Sequence, residues 1–395
     1  MRDLLKWLSR HRFPYEPLIT VEISKSKLLG NLDEFRKLAP HNKIAPVLKS
    51  NAYGHGLIEI AKILEESQHS SRWTHNKKDS DDTIPFFVVD SYFEALALRS
   101  GGIKTPILII GYTHPETITS SRLHKIAFTV TSLKTLKGIT DPKHPVNIHL
   151  KIDTGMHRQG ILESELPEAL SILEEQPDII LEGICSHLSD ADNTDESFTD
   201  EQIHVWNRLV KLVHSHFPHI KYTHLANTDG HRFVEDIHSN ITRLGIGLYG
   251  LGGDSIPHIN IHPVMEIKTI ITGIKKIKSG DVVGYGGTFK AVKDMTIATI
   301  PMGYFEGIDR HLSNNGIVLV GERRTPCPII GRVSMNITTI DISDLKDIDI
   351  GTSVIAISGK SSDGNSIREI AKKCNMITYE IAVYMPAHLR RVVVD

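Results

Sequence analysis

The chain contains 395 residues, with 45 Lys and Arg against 47 Asp and Glu and a formal net charge of −2. This length favours two domains, and 40% hydrophobic with 23% charged residues is typical of a soluble globular protein. The balanced charge, without a basic face or an acidic tail, argues against a nucleic-acid partner. No apolar run approaches the roughly 18 residues that a membrane helix needs, so no membrane association is expected.

The three cysteines, Cys185, Cys327 and Cys374, show no spacing typical of a metal site. We therefore expect no metal and a reducing compartment. The first residues, MRDLLKWLSRHRF, interrupt a short apolar patch with charges, unlike a secretory signal. A cytoplasmic enzyme with an N-terminal extension at residues 1–16 is expected.

The predicted elements begin with a strand at ITVEI, residues 19–23, and a helix over residues 24–39. Eight apolar runs then alternate with amphipathic helical patterns: KIAPVLK, PFFVVD, TPILIIG, IAFTV, VNIHLKID, IILEGICSH, YTHLAN and ITRLGIGLYG. Continuously apolar runs are typical of parallel strands buried on both faces. Eight of them, separated by helices over about residues 43–250, predict a TIM-like (β/α)8 barrel.

The pattern changes twice along the chain. Residues 67–82, SQHSSRWTHNKKDSDD, are polar and predict an exposed insertion loop. After residue 251, short β-branched runs separated by Gly, Asp and Ser turns predict an all-β domain with one late helix, SIREIAKKC. We expect the barrel at residues 17–258 and the C-terminal β-domain at 259–395, with the strand at 19–23 joining the β-domain.

The stretch APVLKSNAYGHG, residues 45–56, contains a candidate catalytic residue. Lys49 lies at the carboxyl end of a predicted buried strand, and burial lowers the pKa of a lysine and leaves a nucleophilic amine. For Lys49 taken alone, the simpler interpretation is a structural lysine at a strand end whose ammonium group reaches water. The turn that follows contains Tyr53 and two glycines. It favours a functional role for Lys49, because such a turn lets the backbone approach a ligand.

Barrel enzymes carry their active sites at the carboxyl ends of the strands. Polar residues follow several of the predicted strands there: Lys49, Tyr53, Lys151, Arg158, Ser186, His187, His224, Asn227 and Arg243. Singly, a core histidine or a structural ion pair would explain His187 or Arg243. The ends of the last two strands are a common phosphate-binding corner, where Gly245 and Ile246 can present backbone amides. A lysine facing a phosphate corner predicts pyridoxal phosphate.

The ordered motifs KSNAYGHG, KIDTGMHRQG, THLANTDG, RLGIGLYGL, VGYGGTF, GRVSMN and TYE resemble the alanine racemase family over about residues 17–390. The resemblance implies a barrel followed by a β-domain, pyridoxal 5′-phosphate and racemisation of alanine, supplying D-alanine for peptidoglycan. Lys49 would hold the cofactor as a Schiff base and act as a base on one face of the substrate Cα. Tyr285 would be the base on the opposite face, supplied by a second subunit, so a homodimer is expected.

Further roles follow from the same resemblance. Arg243 would donate to the pyridine nitrogen, and His187 would link that arginine to the catalytic tyrosine. Arg158 would reach the cofactor's phenolic oxygen and the substrate carboxylate, which the backbone of Met335 also helps bind. Lys151 matches a lysine that is carbamylated in many members. The phosphate group would be held by Tyr53, Asn227, Thr228, Gly245, Ile246 and Tyr379.

Arg243 has a chemical consequence of its own. An arginine does not give up its proton, so the pyridine nitrogen beside it stays unprotonated and the ring is a weaker electron sink. That limits side reactions such as transamination, which suits an enzyme that moves one proton.

The sequence departs from the family pattern near the expected substrate entrance. Glu306 replaces the usual Asp, and Ser334 and Asn336 replace the common Cys and Asp. These changes leave the substrate preference open. The residues that match the substrate corridor are Asp192, Tyr304, Arg310 and Arg332.

Three alternatives remain at this point. A racemase for serine or for basic amino acids is the nearest. A pyridoxal decarboxylase of the same barrel family needs a carboxylate at the pyridine nitrogen, which Arg243 argues against. A non-catalytic pyridoxal phosphate carrier shares the barrel but lacks the β-domain that contains Tyr285.

Overall fold

The computed structural model describes residues 16–68 and 83–395, and the chain divides into two compact units. The β-rich unit combines residues 16–23 with Met265–Val394, and the barrel unit comprises Ser24–Val264. Of the predicted extension at residues 1–16 and the predicted insertion at 67–82, residues 1–15 and 69–82 lie outside the described residues. None of the helices in the described ranges has the length and hydropathy needed to cross a bilayer.

The barrel unit contains, within the described residues, eight parallel strands. Strand β1, Thr20–Ser24, precedes them in the chain and pairs in the β-rich unit. The barrel strands are β2 Lys43–Pro46, β3 Phe87–Val89, β4 Ile107–Ile109, β5 Ile126–Val130, β6 Val146–Lys151, β7 Ile179–Cys185, β8 Tyr222–His224 and β9 Ile241–Leu244.

Their order around the barrel follows the chain. Strands β3 to β8 pair consecutively, and β2 pairs in parallel with β9. A parallel bridge between Val47 and Val88 joins β2 to β3, and the amide of Asn240 donates to the Thr223 carbonyl between β9 and β8. The cycle of eight strands is thereby closed, as a TIM-like barrel requires.

Helices connect the barrel strands, and serine side chains begin several of them. The hydroxyl oxygens of Ser24, Ser91 and Ser132 accept from backbone amides of the first turn, as an N-cap does. The helices are α1 Lys25–Leu38, α2 Leu57–Ser67, α3 Tyr92–Ser100, α4 Pro115–Ser120, α5 Leu133–Gly138, α6 Leu166–Glu175 and α7 Ser197–His216. Their apolar faces are buried, for example Trp206 of α7, which is 0% exposed.

The β-rich unit contains a sheet of six strands in which β1 pairs antiparallel with β10, Met265–Ile270. The other strands of the unit are β11 Gly273–Ile277, β12 Val282–Val283, β13 Phe289–Lys290, β14 Met295–Ile300, β15 Ile317–Val320, β16 Thr325–Pro328, β17 Thr338–Asp341, β18 Ser353–Ile357 and β19 Arg390–Val394. Strands β11, β14 and β17 form a second sheet, and β12 pairs with β13 as a hairpin. Two helices, α8 Ile367–Cys374 and α9 Thr378–Val383, lie between β18 and β19 in the chain.

Candidate active site

Lys49 begins a left-handed turn. The residues that follow it, Ser50 to Tyr53, all have positive φ, between 51° and 56°. Such a run is costly for residues with a Cβ, by roughly 1–2 kcal/mol each. The strand before it ends at Pro46, so Lys49 lies three residues beyond β2 rather than at its end.

Side chains and backbone hold this turn. One carboxylate oxygen of Glu94 accepts from the Asn51 amide at 3.3 Å, and the other accepts from the Asp90 amide at 2.8 Å. The Asn51 side-chain oxygen accepts from the Leu57 amide at 2.9 Å, which caps α2. The turn is therefore fixed from both sides, and with it the position of Lys49.

Lys49 lies within electrostatic range of two arginines. Burial is the main cause that lowers the pKa of its amine, and the positive charges of Arg158 and Arg243 add to it, against Asp90. Burial likewise lowers the pKa of Lys151, whose neighbours include the same two arginines and Lys49. Both amines are thus shifted toward the neutral, nucleophilic form.

The loop after β6 carries Arg158, which is exposed. The Asp153 carboxylate accepts from the amides of Gly155 and His157, at 2.9 and 3.1 Å. This folds the loop back so that the Ile161 amide donates to the Lys151 carbonyl. The loop places Arg158 in the same charged cluster as Lys49 and Lys151.

The Arg243 guanidinium is buried and hydrogen-bonded on two of its nitrogens. NH1 donates to Nδ1 and to the carbonyl of His224, each at 2.7 Å. NH2 donates to the Ser186 carbonyl at 2.6 Å, and Nδ1 of His187 and the Leu225 carbonyl lie 3.2 and 3.1 Å from it. Among the described residues, the Nε–H has no acceptor. One directed donor is therefore left for a ligand.

The ends of β8 and β9 form a small backbone-lined corner. Oγ1 of Thr228 accepts from the Gly247 amide at 3.2 Å, which joins the loops that follow the two strands. A Cβ on Gly245 would lie 2.7 Å from the Tyr53 hydroxyl oxygen, so a side chain there would displace that hydroxyl. In the described part of the chain, the amides of Gly245 and Ile246 donate to no protein oxygen.

Tyr53 contributes a neutral hydroxyl to this corner. Burial raises its pKa to about 12, so the phenol stays protonated near neutral pH. Its ring packs 5.1 Å from that of Tyr249, whose hydroxyl donates to the Val47 carbonyl at 2.9 Å. Neutral hydroxyls and free amides are donors suited to a phosphate.

The β-rich unit contains a pocket of about 660 Å³. Tyr285 lines it, on a hairpin loop where Gly284, Gly286 and Gly287 all have positive φ. Its side chain is 71% exposed. The other predicted residues that line this pocket are Met335, Tyr304, Arg310 and Arg332.

Each unit matches a family model over most of its length. Residues 23–73 and 77–252 match the model "Alanine racemase, N-terminal domain", and residues 264–393 match "Alanine racemase, C-terminal domain". The chain belongs to the alanine racemase family.

Individual racemases are similar to this racemase over nearly their full length. An alanine racemase of Methanococcus maripaludis is 32% identical, covering 95% of this chain and 98% of that protein. The solved alanine racemase of Clostridium difficile 630 is 29% identical with a TM-score of 0.85, covering 96% and 97% of the two chains. That of Bacillus anthracis, solved with bound L-Ala-P, is 28% identical with a TM-score of 0.85, covering 97% and 96%.

These matches confirm the predicted family, fold class and isomerase function as an alanine racemase. Within the barrel unit of the racemase, the structure brings Lys49, Lys151, Arg158, His187 and Arg243 into one electrostatic cluster. Tyr53, Thr228 and Gly245 lie together at the corner, beside Ile246. Asn227 follows β8 and uses its side-chain oxygen to accept from the Gly230 amide at 2.8 Å.

Two predicted residues lie apart from these groups. Asp192 is exposed in the loop after β7, near Asp229, and does not line the pocket of the β-rich unit. Tyr379 lies in the first turn of α9 and is 38% exposed.

Glu94 was not named from the sequence, and His224 was named only as a polar residue at a strand end, without a role. Glu94 braces the turn of Lys49, and His224 binds the Arg243 guanidinium. The signal for His224 is its place at the carboxyl end of a barrel strand. No local pattern marks Glu94, since it lies on a different element, α3, 43 residues beyond Asn51.

Proposed function

We propose that this racemase interconverts L- and D-alanine with pyridoxal 5′-phosphate, as a cytoplasmic homodimer that supplies D-alanine for peptidoglycan. The observation that carries the proposal is the hydrogen bonding of the Arg243 guanidinium. Its NH1 and NH2 groups are fixed by buried acceptors, and its Nε–H is left to donate to a pyridine nitrogen. When bound, pyridoxal phosphate provides an electron sink that acidifies the substrate Cα–H.

The residues around Arg243 suit this cofactor. Burial lowers the pKa of His187 well below its ordinary value, so its imidazole is neutral, and the Arg243 charge adds to that effect. Because arginine has no acceptor, the nearby Nδ1 of His187 faces a donor, and its proton lies on Nε2. Its free N–H is then suited to donate to the phenol oxygen of the catalytic tyrosine.

The corner formed by Tyr53, Thr228 and Gly245 suits the phosphate group. The Tyr53 hydroxyl and the amides of Gly245 and Ile246 are neutral donors, and Asn227 and Tyr379 complete the proposed set. A side chain at position 245 would fill the space beside the Tyr53 hydroxyl. The group therefore binds by hydrogen bonds to hydroxyls and backbone.

Two bases serve racemisation better than one, because a proton leaves one face of Cα and another arrives at the opposite face. We assign one face to the Lys49 amine, whose pKa is lowered chiefly by burial. The other face is assigned to the Tyr285 phenol of a second subunit. Its glycine-flanked loop and 71% exposure suit a residue that reaches beyond its own unit.

The substrate carboxylate is assigned to Arg158 and to the backbone of Met335. Lys151, beside Arg158, is assigned to orient that arginine, as a carbamate in the form the resemblance implies. Tyr304, Arg310 and Arg332 line the pocket around Tyr285 and are proposed to form the substrate entrance. Asp192 is proposed as a further entrance residue.

A panel of L-amino acids in heavy water tests the substrate. Alanine should take up deuterium at Cα well ahead of serine, lysine and arginine, and Lys49→Ala should abolish the exchange. A faster exchange with serine or a basic amino acid would show a racemase of other specificity. Exchange with no amino acid would favour the carrier protein.

A further inference from the structure

His149 has no part in the roles assigned so far, although its side chain is fully buried in the barrel unit. It is on β6, two residues before Lys151, and is 0% exposed. Its ring packs against Phe86 and Tyr222, at centroid distances of 5.5 and 5.8 Å. Its Nδ1 lies 2.7 Å from Nε2 of His224, the histidine that binds Arg243.

The hydrogen positions in the series of side chains Arg243–His224–His149 follow by elimination. A guanidinium donates only, so Nδ1 of His224 accepts from NH1 of Arg243. A neutral imidazole that accepts at Nδ1 carries its proton on Nε2, so His224 donates to Nδ1 of His149. The same rule puts the proton of His149 on Nε2. Burial lowers the pKa of both histidines, which keeps both rings neutral.

Beyond His149, this series of side chains leads to the carboxylate of Glu182. Nε2 of His149 has no hydrogen-bond partner within the described residues, and Oε2 of Glu182, on β7, lies 3.7 Å from it. The other carboxylate oxygen of Glu182 lies 3.6 Å from Nζ of Lys221. The Glu182 side chain is 23% exposed, so it has room to adjust its distance to the imidazole.

Arg243 makes no ion pair with any described residue. Its buried charge is met by carbonyl oxygens and by His224 and His187. From Arg243 to His224 and from His224 to His149, two hydrogen bonds run in the same direction, away from the cation, and Nε2 of His149 then faces the Glu182 carboxylate 3.7 Å away. Aligned hydrogen bonds of this kind polarise and strengthen one another in a low-dielectric interior.

We propose that His149 and Glu182 are positioning residues for Arg243. His149 holds His224 in the one tautomer that accepts from the guanidinium, and Glu182 places the balancing negative charge at the far end. The guanidinium is thereby held with its Nε–H directed at the cofactor nitrogen. The inference rests on the proposed role of Arg243 in cofactor binding.

The protonation pattern can be tested on the cofactor-free protein by neutron diffraction, or by ¹⁵N NMR with histidine labelling. His149 and His224 should both carry hydrogen on Nε2 and none on Nδ1. A proton on Nδ1 of either ring, or a doubly protonated imidazolium, would overturn the chain of donors. This readout needs neither activity nor bound cofactor.

Two substitutions of His149 separate its hydrogen bond from its volume. His149→Leu removes the acceptor for His224 and leaves a buried N–H unsatisfied, so we expect pyridoxal phosphate to bind about tenfold more weakly. The pH dependence of the bound cofactor's absorbance should shift as well. The amide oxygen of His149→Asn can replace Nδ1, so this variant should recover most of both properties. Equal behaviour of the two variants would contradict the proposal.

Glu182→Gln keeps an acceptor oxygen but removes the charge. It should weaken cofactor binding by less than His149→Leu while shifting the absorbance titration in the same direction. A Glu182→Gln protein identical to the native one in both measurements would show that the Glu182 carboxylate does not position Arg243.

Arg243→Leu distinguishes a failure of the role proposed for Arg243 from a failure of the role proposed for His149. If it leaves cofactor affinity and absorbance unchanged, the proposed role of Arg243 is wrong. If it changes both while His149→Leu changes neither, the role of Arg243 stands and only the positioning by His149 is wrong. Thermal unfolding of the cofactor-free variants shows whether a loss of binding reflects a loss of folding.

Discussion

Glu306 and Asn336, two residues that depart from the family pattern, contact each other. Nδ2 of Asn336 donates to Oε1 of Glu306 at 2.6 Å, and Oε2 of Glu306 accepts from the Gly303 amide at 2.8 Å. Glu306 is 7% exposed. A carboxylate at position 336 would face the Glu306 carboxylate without a donor between them, so the amide at 336 matches the acid at 306.

Asn336→Asp should therefore destabilise the β-rich unit at neutral pH. It replaces a charge-assisted hydrogen bond by two facing carboxylates, at a cost of about 1–3 kcal/mol in unfolding free energy. The measurement is the denaturant midpoint of the single and double variants.

Glu306→Gln combined with Asn336→Asp restores one acid and one amide, so the double variant should regain most of the loss. Additive losses in the double variant would show that the two side chains are not energetically coupled.

Sequence alone singled out both positions but could not show that they touch. They are 30 residues apart, and the contact depends on a close backbone approach. A Cβ on Gly303 would lie 2.1 Å from the Ser334 carbonyl oxygen. A glycine in a sequence indicates that such an approach is possible, but it does not name the partner.

At the scale of an element, the turn after Lys49 has an unfavourable backbone that the surrounding residues stabilise. Asn51 contributes most directly, because asparagine tolerates positive φ and its side chain caps α2. Glu94 of α3 holds the same turn from the neighbouring element. The position of the lysine therefore depends on two elements besides its own strand.

Asn51→Ala should lower the unfolding free energy by about 1–2 kcal/mol, because it loses the cap and adds a strained alanine. Cofactor binding should weaken with it, since the turn carries Lys49. Denaturant unfolding and a titration with pyridoxal phosphate measure the two effects.

Asn51→Gly is the matched control. Glycine lacks the cap but adopts positive φ without strain, so it should be milder than alanine. Equal losses for alanine and glycine would show that backbone strain at this turn contributes nothing measurable.

The sequence predicted the elements better than their ends. KIAPVLK was predicted as a strand through Lys49, whereas β2 ends at Pro46. The predicted strand ITRLGIGLYG ends at Leu244, and Ile246–Tyr249 forms a 3₁₀ turn. Apolar periodicity does not distinguish a strand from a buried turn, and of the four residues from Ser50 to Tyr53 only Asn51 is of a type that favours positive φ.

At the scale of the whole molecule, the two proposed bases lie in different units. Lys49 is in the barrel unit, and Tyr285 is in the β-rich unit. The alternation of strands and helices and the later β-branched runs were enough to predict this architecture. The pairing of Lys49 with the Tyr285 of a second subunit follows from the resemblance, and residue patterns cannot supply it.

Mixed dimers test the central claim, that a lysine and a tyrosine from two subunits face opposite sides of the substrate Cα. Lys49→Ala and Tyr285→Phe proteins, each inactive as a pure dimer, are mixed in equal amounts and allowed to exchange subunits. Each hybrid then contains one intact site, so alanine racemisation should recover to about a quarter of the native rate. Hybrids isolated with two different tags that show no recovery would contradict the shared site.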